Sequence, residues 1–108
     1  MTAHDAPTGA AARAADILSR PFTVRGLSSR NRIAMAPMTR QFSPDGVPGQ
    51  DVADYYTRRA AADVGLIITE GTYVDHASAG TSDAVPRFHG EAALAGWAGV
   101  AALRARRS

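Results

Sequence analysis

The run Asn31-Arg32-Ile33-Ala34-Met35-Ala36-Pro37-Met38-Thr39-Arg40 holds a short apolar segment that stops abruptly. A polar pair opens it, Ile33 and Met35 carry the apolar character, and Pro37 breaks it. Proline lacks an N–H and biases the residue before it to extended backbone, so a strand over residues 32–36 ends here and a loop begins. A buried strand giving way to Met-Thr-Arg suits the inside-to-mouth transition of an α/β protein. At such mouths ligands meet backbone N–H groups and hydroxyl side chains.

Downstream, residues 40–49 read as a loop: Ser43-Pro44, Asp45-Gly46 and Pro48-Gly49 are all turn signals. Loops this long on a rigid scaffold tend to line sites. Asp51 is the expected N-cap of a helix running to about residue 63, with Asp54 in a near capping box. Val52, Tyr55, Tyr56, Arg59 and Ala60 share its packing face. On that face the tyrosines are packing residues, and Arg59 needs a carboxylate, with Asp63 or Glu70 the candidates. Residues 64–71 then form a second strand, whose unbroken apolar run predicts cover on both faces, as in a parallel sheet. Strand, helix, strand makes a right-handed βαβ unit with the two strands adjacent, roughly 4.8 Å apart. Residues 37–39 and 70–72 therefore open onto one face.

Upstream, Phe22 and Val24 alternate with polar neighbours, Gly26 punctuates and Leu27 resumes, a small β-hairpin over residues 21–31. Residues 1–16 are Ala-rich with Pro7 and Gly9, and read as a disordered tail, with one helical turn over 16–19. Residues 73–90 are loop throughout. Asp75-His76 and His89 lack metal-ligand spacing and read as loop residues. A last helix spans residues 91–107, with Leu94, Trp97, Val100 and Ala101 on its apolar face and Gly96 and Gly99 weakening it.

At 108 residues the chain forms one domain at most. All 12 basic residues are arginine, yet the net charge is only +2. Arg104, Arg106 and Arg107 crowd the C-terminus, read as a solvated end; attraction of an acidic partner is the alternative. The absence of cysteine excludes disulfides and thiolate metal sites. Apolar runs fall short of the ~18 residues of a membrane span, and no signal pattern opens the chain, so the expected location is cytoplasmic.

Together, N-R-I-x-M-A-P-M-T-R, the preceding Pro21-Phe22, and the later Tyr55-Tyr56-Thr57-Arg58-Arg59-Ala60 and Gly65-Leu66-Ile67-Ile68-Thr69-Glu70-Gly71-Thr72 resemble the N-terminal part of the old yellow enzyme family. The likeness covers residues 17–101, with the blocks in the family's order. It implies an α/β fold, the N-terminal portion of a (β/α)8 TIM barrel: a β-hairpin plug, then strand, helix, strand, helix over residues 17–108. A complete barrel takes about 250 residues, so this barrel is incomplete and the chain is expected to be truncated. The pattern departs from the family after Ala101, where Arg104 falls on the apolar face.

The resemblance further implies FMN as cofactor, NAD(P)H as reductant, and hydride transfer through the flavin to a small-molecule activated alkene or quinone. By residue, it assigns flavin contacts to Thr39, whose hydroxyl would donate to the ring, to the backbone of Ala36, Pro37 and Met38, and to Gly71, which without a Cβ lets backbone approach a flat ring. No catalytic residue and no metal ligand is assigned within the chain; the family's substrate anchors, proton donor and phosphate sites would lie past residue 108. The alternative is a non-enzymatic barrel remnant that complements another chain, forms an oligomer, or binds an acidic partner, with neither membrane nor nucleic acid expected.

Overall fold

The computed structural model describes residues 9–107, with side chains described as far as residue 102. Its elements in chain order are α1 (Gly9–Leu18), β1 (Phe22–Val24), β2 (Leu27–Ser29), β3 (Ala34–Met35), α2 (Gln50–Ala61), β4 (Leu66–Ile67) and α3 (Glu91–Arg107). From Gly9 onward the expected tail is helical, since a run of alanines needs little side-chain ordering to wind. None of α1 is buried. Residues 1–8 of that tail, and the side chains of Arg104, Arg106 and Arg107, lie outside the description.

β1 and β2 pair antiparallel, Phe22 opposite Ser29 and Val24 opposite Leu27. Arg25 and Gly26 turn between them with φ of 47° and 84°. Two positive φ values in a two-residue loop give the backbone twist that antiparallel strands require. The hairpin is the one the alternation predicts.

β3 and β4 pair in parallel, Ala34 with Leu66 and Met35 with Ile67. Both are shorter than the expected 32–36 and 64–71. Leu66 and Ile67 are only half-buried, and Ile68 is 47% exposed. Cover on both faces is thus not found: β4 has a neighbour on one edge only, and the described residues form no closed barrel. An apolar run records what a strand buries in a full sheet, and here that sheet has two strands.

α2 starts two residues earlier than Asp51 as N-cap would set it. Gly49 is the N-cap, extended at φ −99° and ψ −167°, with no side-chain capping bond. Asp51 instead sits in the first turn, where its charge complements the helix dipole. At the other end Asp63 adopts φ 72° and stops the helix. Arg30 reaches Asp63 at 3.2 Å, and Asn31 Nδ2 donates to the Asp63 carbonyl at 2.7 Å. Asn31 Oδ1 in turn accepts from Ile33 N–H at 3.0 Å, so Arg30 and Asn31 latch the start of β3 to the end of α2.

The core is a seam between α2 and α3: Val52, Ala53 and Tyr56 against Trp97 and Val100, with Met35 and Ile67 of the sheet at its margin. Trp97 Nε1 donates to the Arg87 carbonyl at 3.1 Å. The buried face of α3 is Ala93, Trp97 and Val100, while Leu94 and Ala101, expected on it, are exposed. Small residues explain the rotation. A Cβ at Gly96 would collide with the Pro48 carbonyl oxygen, so the helix lies directly on the backbone before α2.

The loop over residues 40–49 is held by backbone bonds to a later loop. It packs on the 73–90 segment: Ser43 N–H donates to Ala84 O at 2.9 Å and Arg87 N–H to Gly46 O at 2.8 Å. Ser43, Val85 and Pro86 are buried there.

Candidate functional site

Because β3 and β4 run parallel, both leave the sheet at the same end. The last backbone link between them is Ile68 N–H to Met35 O, at 3.2 Å. Pro37 then has no N–H to continue the ladder, and the two segments part. They meet again two residues on: a Cβ built on Gly71 would lie 3.1 Å from Thr39 Oγ1. Of the five residues singled out in the sequence, the structure brings Thr39 and Gly71 together. Ala36, Pro37 and Met38 lie along the segment leading to Thr39, and all five are exposed, Met38 by 54%. The result is an open rim carrying one hydroxyl beside one bare stretch of backbone.

Beneath the rim lies a carboxylate that the sequence offered as a partner for Arg59. Glu70, the residue before Gly71, has a fully buried side chain. Its Oε2 accepts from Tyr56 O–H at 2.7 Å and from Arg40 Nη1 at 3.3 Å. Tyr56 oxygen also accepts the Glu70 backbone N–H at 2.8 Å. Oε1 has no hydrogen-bond partner among the described residues. Burial, reinforced by the hydrogen bond to Glu70, pushes the Tyr56 phenol well above its ordinary value, so it stays protonated and keeps donating.

Arg40, the residue after Thr39, is 15% exposed at its side chain. Its guanidinium carbon stands 3.6 Å from the centroid of the Tyr55 ring, and that of Arg59 stands 3.7 Å from the same ring. Two guanidinium groups this close to one ring occupy opposite faces, so Tyr55 is clasped between them. Arg59 therefore finds the ring of Tyr55, and the Tyr55 carbonyl at 3.2 Å, rather than Asp63 or Glu70. The signal for the true pair was present: an arginine and a glutamate, each next to a rim residue, at the ends of paired strands.

A second polar hollow of about 420 Å³ lies in the 73–90 loop. His89 Nδ1 is 3.8 Å from Asp75 Oδ1 there. Among the described residues no group of three or more histidine, aspartate or glutamate side chains is arranged to hold a metal. No described helix is long and apolar enough to cross a membrane.

The sequence and the fold have counterparts among known proteins. A model of the NADH:flavin oxidoreductase / NADH oxidase family matches residues 18–103. The chain belongs to that family, whose members are FMN-dependent oxidoreductases drawing on NADH or NADPH. It is 40% identical over 81 residues to chanoclavine-I aldehyde reductase fgaOx3 of Penicillium roqueforti, covering 74% of this chain and 22% of that one. It is 46% identical over 54 residues to an NADH oxidase of Thermoanaerobacter brockii, covering 49% of this chain and 8% of the other. Morphinone reductase superposes on the fold with a TM-score of 0.76 at 37% identity, over 84% of this chain and 24% of that structure. The chain thus spans about a quarter or less of the length of these relatives.

Proposed function

We propose that the chain supplies one wall of an FMN site in an oxidoreductase that passes hydride from NAD(P)H to a small activated alkene or carbonyl-conjugated substrate. On this reading β1 and β2 are the hairpin plug, and β3, α2, β4 and α3 are the first two strand–helix units of a (β/α)8 barrel. The observation that carries it is the 3.1 Å between Thr39 Oγ1 and the position of a Cβ on Gly71. A hydroxyl able to donate stands beside backbone with no side chain to hold a flat ring away, which is what a planar cofactor requires of its edge contacts. FMN, when bound, supplies the hydride chemistry. Thr39 would donate to the ring edge, and the backbone of Ala36, Pro37, Met38 and Gly71 would set its position.

Two strands enclose nothing, so by itself the chain holds FMN weakly and turns over no substrate. The test mixes the 108-residue chain with the complementary C-terminal part of a relative and follows flavin fluorescence and NADPH oxidation. Stoichiometric quenching and turnover are expected in the mixture, with neither part sufficient. In the mixture Thr39→Ala lowers FMN affinity about tenfold, the value of one hydrogen bond at an otherwise dry edge. Tight FMN binding that is indifferent to Thr39→Ala and to Gly71→Val would reject the reading.

A further inference from the structure

We propose that Glu70 is a positioning residue: through Arg40 and Tyr56 it sets the spacing between Thr39 and Gly71. The proposal rests on the reading of those two residues as the flavin-contact pair, and it adds what holds them at contact distance. Past the Ile68–Met35 bond, no backbone hydrogen bond among the described residues joins the segment of residues 36–42 to that of residues 69–72. Without another tie the rim would open as the ends of a short parallel pair open, by fraying.

The tie is made of side chains one step from the rim on each segment. Arg40 follows Thr39 and Glu70 precedes Gly71, and they meet at 3.3 Å. Tyr56 then grips residue 70 twice, by its carboxylate at 2.7 Å and its backbone N–H at 2.8 Å. Arg40 is in turn held by the Tyr55 ring. Both aromatic residues belong to α2, which is anchored in the core, so the rim spacing is referred to the helix face that packs that core.

Burying this ion pair is a poor device for stability, because desolvation offsets most of the attraction. Its value lies in direction. A carboxylate oxygen that takes two fixed donors, one from each neighbouring element, restricts the arrangement of the two chain segments, whereas apolar side chains would admit several. Apolar packing here would hold the segments together without fixing how far apart their ends stand.

The chain has no cysteine, which makes the spacing directly measurable. In the doubly substituted Thr39→Cys, Gly71→Cys chain, the effective concentration of the two thiols is read from disulfide formation in a glutathione buffer. A Cβ at residue 71 would stand 3.1 Å from Thr39 Oγ1, so side chains at the two positions are in contact. Glu70→Gln keeps the shape and the Tyr56 bond but removes the charge that holds Arg40; Arg40→Gln removes the other partner. Each is expected to lower the effective concentration about tenfold, the loss of one charge-assisted hydrogen bond. The native Trp97 emission of the reduced chain should stay unchanged, while its denaturation midpoint falls, because removing one partner of a buried pair leaves the other uncompensated. An effective concentration unaltered in both variants overturns the proposal. A fall that merely tracks loss of the Trp97 signal overturns it too, because Glu70 would then serve the fold as a whole. The assay needs no flavin, so absence of FMN binding in the reconstituted mixture would reject the flavin reading and leave the positioning role standing.

Discussion

Tyr56 is the side chain on which the most local structure converges. It is 2% exposed, packs in the core, and both donates to and accepts from Glu70. Its raised pKa has a consequence for stability with a definite sign. The unfolded phenol ionises near pH 10, and the folded one higher. Its contribution is therefore fully present below about pH 10 and is lost as pH climbs from there toward the folded value, since the unfolded state releases its proton first. Urea denaturation across alkaline pH should show this decline in the native sequence and a shallower one in Tyr56→Phe. Tyrosinate absorbance should rise for Tyr56 only as the chain unfolds. Asn31 is a second such residue, bonded to Asp63 O and Ile33 N–H; in the sequence it was only the polar start of a strand.

Between elements, the seam of α2 and α3 is what keeps the rest in place. Gly96 looks like a weak point in a helix when judged by propensity alone. In the fold it is the residue that lets α3 settle on the Pro48 backbone, where a Cβ would meet the carbonyl oxygen. Gly96→Ala is therefore expected to destabilise by about 1–3 kcal/mol, as overpacking does, although alanine is the better helix former. Thermal or urea denaturation followed by Trp97 fluorescence decides it. A stabilised Gly96→Ala chain would show that the contact between α3 and the Pro48 backbone is loose. The same tight approach turns α3 so that Ala93, Trp97 and Val100 face inward and Leu94 outward, a rotation of the face that side-chain size, and not periodicity, sets.

For the molecule as a whole, surfaces that a complete sheet would cover stand open. The Cα radius of gyration is 17.5 Å, against about 13 Å for a compact domain of some 100 residues. A cleft of about 670 Å³ runs between β4 and α3, lined by Leu66, Ile67, Phe88, Leu94 and Trp97 among others. With one edge of β4 unpaired, such a face favours association between chains. Sedimentation of the isolated chain should show concentration-dependent self-association. Leu94→Lys, at a residue 45% exposed, should reduce it while changing stability by no more than about 0.5 kcal/mol. A monomer at all concentrations would mean that the cleft closes in solution.

The local patterns that need only neighbours along the chain were legible beforehand. Alternation and a Gly26 turn set out the hairpin, Pro37 marked where β3 leaves the sheet, and the run after Val64 paired with β3 in parallel. They were legible because proline, glycine and apolar periodicity act through the backbone of their own segment. What those patterns could not specify depends on partners distant in sequence. Arg40 rather than Arg59 meets Glu70, Tyr55 stands between two guanidinium groups, the 40–49 loop packs on the 73–90 segment, and Leu94 faces out. A charge or a ring carries no record of which of several candidates it will reach; only the packing of α2 against α3 and the strand ends selects one, by admitting a single set of contacts at van der Waals distance.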